Sequence, residues 1–216
     1  MLEAALFPIP NVVAFPGTVL PLHVFEPRYR RLVHECLETG RLLAVSHVSK
    51  TIRAAPPSQS VEDALNTNQA TYQPREVFSG GQCEIIEELP DGRILVQVNM
   101  LERLTLEEEI QSLPYRVVTC SILHDIAEPV GAEENQKLKE SIHSRLINLV
   151  SQENPQLAEE LNADFWLDMA PSDYSFRIFQ VLQFDPDTMQ NILEMRTGHD
   201  RLLTEFSILE GKPVGD

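Results

Sequence analysis

The spacing of the apolar residues changes near residue 125, and this change limits the possible folds. Before it, short apolar or alternating segments are separated by Pro, Gly and Asn, a pattern typical of strands. After it, apolar residues recur on one helical face: Leu138, Ile142, Leu146 and Leu149. The sequence therefore predicts an α+β protein, with a β domain over residues 1–125 and an α-helical subdomain over residues 126–210.

The predicted β domain contains one helix and one long loop. Pro27 suits the first turn of a helix, where its missing N–H is not needed, and Gly40 is a natural stop. Asp91-Gly92 predicts a hairpin turn. Residues 49–75 are rich in Pro, Ser and Asn and poor in large apolar residues, which predicts a mobile loop.

The helical part is predicted to contain four helices. Asn154-Pro155 ends the first, and Ser172 is predicted to cap the third. Asp185-Pro186 opens the fourth, because an Asp cap followed by Pro favours a helix start. We expect this last helix to continue to Leu209, with a local bend at Gly198.

Charge and cysteine content exclude several classes of protein. The formal net charge of −16 opposes broad contact with a nucleic-acid backbone, which requires clustered Lys and Arg. Three widely spaced cysteines with no C-x-x-C pair do not indicate a zinc knuckle or a disulfide scaffold. No apolar run is long enough to span a membrane, and the N-terminus lacks signal-peptide bases. We expect a cytoplasmic protein without nucleic-acid or membrane partners.

Recognisable catalytic motifs are missing from the sequence. It contains no G-x-x-x-x-G-K-[ST] phosphate loop, no G-x-S-x-G elbow and no H-E-x-x-H zinc motif. The six histidines are scattered, and the three cysteines lie in predicted elements where buried, inert thiols are common. We therefore expect no catalytic residues, no cofactor and no metal site. Paired catalytic carboxylates stay open, since a sequence gives no distances.

The stretch from residue 15 to residue 33 combines Pro, aromatic and Arg residues. Most of it is explained by core packing, by a Pro16-Gly17 turn and by the helix start. Glu26, Arg28 and Tyr29 are not explained in this way. Arg28 can reach a backbone carbonyl or an acidic side chain, and Tyr29 can offer an apolar face with a polar tip. These three residues are the candidate contacts with a partner.

Four segments in the same order resemble the N-terminal domain of Lon protease. Residues 7–22, with V-V-A-F-P-G followed by L-P-L, resemble its opening, and residues 81–103 resemble its central hairpin. Pro114-Tyr115 and residues 172–209 resemble its later elements. The resemblance implies a PUA-like β pseudobarrel with one inserted helix, followed by a helical bundle, a domain type also found in cereblon-like proteins.

The resemblance also implies a function. It points to a stand-alone, non-catalytic module, without ATPase or peptidase parts, that binds unfolded or extended polypeptides or a protease partner. Glu26, Arg28 and Tyr29 then become candidate polypeptide-binding residues. The alternative is an enzyme or small-molecule-binding protein that uses a cleft between the β domain and the bundle. RNA binding follows from the PUA-like fold alone, and the acidic charge opposes it.

Overall fold

The computed structural model of the chain describes residues 1–54 and 70–211. Contacts divide them into two compact units. The first contains Met1–Leu123 and Gln183–Leu193, and the second contains His124–Leu182 and the chain from Glu194 onward. The domain limits predicted from the sequence, 1–125 and 126–210, are a single division along the chain, whereas these units are defined by contacts. The predicted limits stay a prediction.

A mixed sheet forms the greater part of the first unit. Among the described residues the strands of this unit are β1 (Leu2–Pro8), β2 (Val19–Val24), β3 (Leu42–Ser46), β4 (Val48–Arg53), β5 (Thr71–Pro74), β6 (Val77–Glu88), β7 (Ile94–Gln111) and β8 (Arg116–Ile122). Six of them pair in the order β2-β7-β6-β3-β1-β8, and β8 also pairs with β7. β1 and β3 are parallel, and the other pairs are antiparallel. This sheet is the predicted pseudobarrel.

The inserted helix α1 (Pro27–Thr39) confirms the sequence prediction at both ends. Pro27 occupies its first turn, and Gly40 closes it with a left-handed φ of 71° and an N–H bond to the Cys36 carbonyl. One face of the helix is buried, and its apolar residues join the main core of the unit: Tyr29, Leu32, Val33 and Cys36. Burial of this face fixes α1 against the sheet.

Strands occupy both ends of the segment that was predicted to be a loop. β4 and β5 form a separate two-stranded antiparallel sheet in which Thr51 lies opposite Tyr72. β-branched and aromatic residues favour strands, and here they outweigh the Pro-rich and Ser-rich composition of the segment as a whole. The central part of the predicted loop, residues 55–69, lies outside the described residues.

The second unit is helical over its described residues. Its elements are α2 (Ala132–Val150), α3 (Pro155–Leu161), α4 (Asp164–Leu167), α5 (Pro171–Arg177), a 3₁₀ turn (Ile178–Gln180) and, near the end of the chain, α7 (Gly198–Leu209). One more helix, α6 (Pro186–Glu194), lies between the 3₁₀ turn and α7 in the sequence. It belongs to the first unit except for its final residue. None of the described helices is long and apolar enough to cross a membrane.

Two details of the predicted helices are wrong. The expected single helix up to Leu209 is two helices, because Thr197 ends the connection after α6 and caps α7 by accepting the Asp200 N–H at 3.0 Å. A local Thr cap competes well with continuation through Gly198, a poor helix former. Ser172 is not the cap of its helix, since α5 already begins at Pro171.

Candidate functional site

A pocket of about 310 Å³ lies beside the start of α1, within the first unit. Four parts of the chain form it: β1, the first turn of α1, the β4–β5 sheet, and the connection from β7 into β8. Its lining residues are Leu6, Pro8, Arg28, Tyr29, Arg53, Thr71, Tyr72, Ser112, Leu113, Pro114, Tyr115 and Arg116. We call it the helix-start pocket. It contains two of the three predicted contact residues.

Arg28 is held in place by bonds within the chain. Its Nε donates to Glu26 Oε2 at 3.0 Å, and its Nη2 donates to the Ala70 carbonyl at 2.5 Å. The Arg28 and Glu26 side chains are only 11% and 12% exposed. The sequence predicted that Arg28 reaches a carbonyl or an acid, and the structure gives it both. Glu26 is not among the lining residues, so it acts on the pocket through Arg28.

Tyr29 is more deeply buried than the sequence suggested. Its ring stacks on Phe7 with 3.9 Å between ring centroids, and the Arg28 guanidinium carbon lies 4.5 Å from the Tyr29 centroid. The residue is 6% exposed, and this burial raises the pKa of its phenol to about 12. Tyr29 is therefore mainly a core residue that supports the pocket wall.

The charged groups that line the pocket are all guanidinium groups, from Arg28, Arg53 and Arg116. Arg116 donates to the Glu109 carboxylate and, at 3.4 Å, to the Tyr72 carbonyl. Arg53 is exposed, and no carboxylate of the described residues forms an ion pair with it. The pocket thus contains three guanidinium groups, two of them paired with carboxylates outside the lining, on a protein with a net charge of −16.

Another part of the pocket lining comes from the β7–β8 connection. Leu113 and Pro114 are joined by a cis peptide bond, and Leu113 is 78% exposed. The Tyr115 hydroxyl donates to the Glu35 carboxylate; burial first, and then this bond, raise the pKa of Tyr115. The same bond is the main reason that the pKa of Glu35 is lowered. The pocket therefore has an exposed apolar edge at Leu113, close in sequence to the Tyr115 hydroxyl that Glu35 holds in place.

Sequence reasoning missed half of the pocket. Tyr72 and Arg53 lie in the segment that was predicted to be a loop, and Leu113 and Arg116 carry no local motif. Pro114-Tyr115 did give a signal, as part of the family resemblance. No group of three or more His, Cys, Asp or Glu within residues 1–54 and 70–211 could hold a metal ion.

A small pseudobarrel domain with a pocket beside its inserted helix, joined in sequence to a helical unit, is the class of protein that these features define. Residues 3–211 match the model of the ATP-dependent protease La (LON) substrate-binding domain, and the chain belongs to this family.

Solved structures share the fold. The N-terminal domain of the Mycobacterium avium complex Lon protease superposes with a TM-score of 0.67 at 13% identity, covering 96% of this chain and 98% of that one. A Lon N-terminal domain protein from Xanthomonas campestris gives a TM-score of 0.61 at 19% identity, covering 99% and 100%. These likenesses confirm the predicted fold class.

Curated relatives are much longer than this chain. A Lon protease from Cytophaga hutchinsonii is 24% identical over 160 residues, which are 72% of this chain and 17% of that protein. Lon protease 1 from Herpetosiphon aurantiacus is 24% identical over 165 residues, or 74% and 18%. The chain therefore spans less than a fifth of the length of these relatives.

Proposed function

We propose that this chain is a non-catalytic polypeptide-binding module and that the helix-start pocket is part of its binding surface. The carrying observation is the composition of the pocket, in which arginine donors adjoin an exposed apolar edge at Leu113. Membership of a substrate-binding domain family supports the same function. The ligands are unfolded or extended polypeptides, or a segment of a protease partner.

The lining suits an extended chain in two ways. Guanidinium groups donate several hydrogen bonds in a fixed plane, and a polypeptide offers carbonyl oxygens along its whole length. Leu113 and the ring of Tyr72 provide apolar contact for side chains, and aromatic residues are common anchors at interfaces. Tyr72 lies on strand β5, and Leu113 lies in the short connection between β7 and β8, so little ordering of these residues is required on binding.

The three predicted residues have different parts in this proposal. Arg28 and Tyr29 line the pocket and are proposed contacts, whereas Glu26 orients Arg28. Replacing all three with Ala would remove a stacked ring and a nearly buried ion pair, so loss of folding would obscure any loss of binding. Variants at the exposed Leu113 and the half-buried Tyr72 give a cleaner test.

The test is titration of a fluorescently labelled, permanently unfolded polypeptide against the wild type and a Tyr72→Ala, Leu113→Ala variant. Each truncation of a true anchor costs about 1 kcal/mol or more, so affinity should fall about tenfold or more. Ile86→Ala, at an exposed β6 residue outside the pocket lining, is the matched control and should bind as the wild type does. Equal affinity of the pocket variant, with both proteins folded, would exclude this site.

A further inference from the structure

We propose that the helix-start pocket binds the last residue of a polypeptide through its free C-terminal carboxylate. This inference rests on the proposed function, and it specifies which part of a polypeptide enters the pocket. Its starting point is the pairing of opposite chemistry in one pocket: arginines from α1, β4 and β8, and the apolar residues Leu113 and Pro114 from the β7–β8 connection.

The three arginines of the pocket are suited to a carboxylate. Arg28 and Arg116 are oriented by the Glu26 and Glu109 carboxylates, and Arg53 has no such pairing among the described residues. Arginine binds carboxylates with two parallel hydrogen bonds, which makes it the preferred residue for this group. No Asp or Glu of residues 1–54 and 70–211 lines the pocket to repel an incoming anion.

The apolar lining residues distinguish a chain end from an internal acidic residue. A C-terminal residue carries its carboxylate and its side chain on the same Cα, so it can contact an arginine and Leu113 or Pro114 at once. An internal Asp or Glu uses its side chain for the charge and leaves nothing for Leu113 and Pro114. We therefore expect the preferred last residue to be apolar.

The size of the pocket favours the same occupant. Its volume of about 310 Å³ lies at the lower end of the range of about 300–1,000 Å³ that is usual for ligand sites. A cavity of this size holds the end of a chain more readily than a long segment that passes through. The net charge of −16 of the whole protein disfavours acidic residues in the rest of the peptide.

The test compares three versions of one unfolded peptide with an apolar last residue: the free acid, the C-terminal amide, and the amide with one internal Glu. Affinities are measured by fluorescence anisotropy on the full chain. The free acid should bind at least tenfold more tightly than either amide. Arg53→Gln should remove most of this preference, because the affinity for the free acid should fall much more than the affinity for the plain amide. Lys50→Gln, on the same strand but outside the lining, is the matched control and should leave both affinities unchanged.

The outcomes separate this inference from the proposed function. Equal binding of acid and amide, lost together in the Tyr72→Ala, Leu113→Ala variant, would overturn the carboxylate and keep polypeptide binding. Binding of the internal-Glu amide as tightly as the free acid would also overturn it, in favour of an acidic side chain. No binding of any peptide would overturn both. If the preference for the acid persists in Arg53→Gln and disappears in Arg116→Gln, the pocket binds the carboxylate as proposed. The arginine that binds it is then Arg116 and not Arg53.

Discussion

Arg201 is a fully buried arginine in the helical unit, and its bonds explain how that unit tolerates a charge in its core. Its two terminal nitrogens donate to both Asp125 oxygens at 2.9 and 2.7 Å, and its Nε donates to Ser175 Oγ at 2.7 Å. The guanidinium carbon lies 3.9 Å from the centroid of the Phe176 ring. The residue therefore fixes the segment around Asp125 to α7 with defined geometry.

Arg201→Ala should be strongly destabilising. The substitution leaves an unfilled volume in the core and removes the bonds to Ser175 and to the partly exposed Asp125 carboxylate, which together cost about 2–5 kcal/mol of the free energy of unfolding. Urea denaturation measures this loss. Arg145→Ala is the control, because Arg145 forms a more exposed pair with Glu210 and should cost about 1 kcal/mol or less. Similar losses for both variants would show that the buried pair has no special role.

Glu205, also in α7, is an unusual carboxyl group. It is fully buried, and neither oxygen has a hydrogen-bond partner among the described residues. Burial raises the pKa of Glu205 well above its ordinary value, and the nearby Arg201 charge opposes this only in part. The folded protein therefore keeps the proton at pH values where the unfolded chain has lost it.

The sign of the pH effect follows from this difference. The contribution of the protonated Glu205 to the free energy of unfolding is fully present below the ordinary pKa of 4.5. It decreases as the pH rises toward the raised pKa of the folded state. Glu205→Gln removes the titration, so its melting temperature should fall less than that of the wild type between about pH 5 and pH 8. At pH 8 the variant should be the more stable protein, by about 1 kcal/mol or more.

Thermal melts at several pH values measure this effect, with Glu159→Gln, at an exposed position of α3, as the matched control. The control should follow the wild type across the range. If Glu205→Gln also follows the wild type, the carboxyl is ionised in the folded state and has a partner that solvates it.

At the scale of elements, the pairing of β6 with β7 depends on a glycine. The register shifts by one residue between Gly80 and Gly81, and the backbone of β7 comes very close at this point. A Cβ added at Gly81 would lie 1.9 Å from the Asn99 carbonyl oxygen, which is a backbone atom and cannot rotate away. The close approach, rather than a special φ, requires glycine here.

Gly81→Ala should therefore lower the free energy of unfolding by about 1–3 kcal/mol or more, since one of the two strands has to move. Gly131→Ala is the matched control, because nothing lies within 4 Å of the added Cβ and the φ of −71° suits any residue. Gly131 is the N-cap of α2, where Ala is the poorer cap, so the control should lose no more than about 1 kcal/mol. Chemical denaturation measures the free energy of unfolding of both variants. If Gly81→Ala is as stable as Gly131→Ala, β7 can shift to make room for the added Cβ.

Elements with strong local signals could be predicted from the sequence. Pro27 and Gly40 set the limits of α1, and Asp91-Gly92 forms the predicted turn, with Gly92 at a φ of 84°. β4 and β5 could not be predicted, because each is short and is stabilised by the other across residues that are distant in the chain. The separation of α6 from α7 depends on one Thr cap, which competes with a helical pattern that continues on both sides.

At the scale of the whole molecule, the candidate site is assembled from distant positions. Arg28, Tyr72 and Arg116 come together only because α1, β5 and β8 meet in three dimensions. The sequence identified the helix start, where aromatic and charged residues are concentrated, and could not identify the lining residues Arg53, Tyr72, Leu113 and Arg116. The Glu26–Arg28 pair shows a further limit, since residues that look unexplained in a sequence can satisfy each other.

The purified chain should neither hydrolyse ATP nor cleave polypeptides. The phosphate loop is missing from its sequence, and the family that it matches is the substrate-binding domain of Lon. Phosphate release and cleavage of a fluorogenic protein substrate measure the two activities. Turnover that co-purifies with the chain and is abolished by a single substitution in it would contradict this prediction; turnover unchanged by substitution would come from a contaminant.

Hydrogen–deuterium exchange with and without a saturating unfolded polypeptide tests the central proposal most directly, because it needs no substitution. Binding at the helix-start pocket should slow exchange of backbone amides in residues 71–74 and 112–116, which form two of its walls. The helices of the second unit should exchange as in the free protein. Slower exchange confined to those helices, with residues 71–74 and 112–116 unchanged, would place the binding surface elsewhere and contradict the proposal.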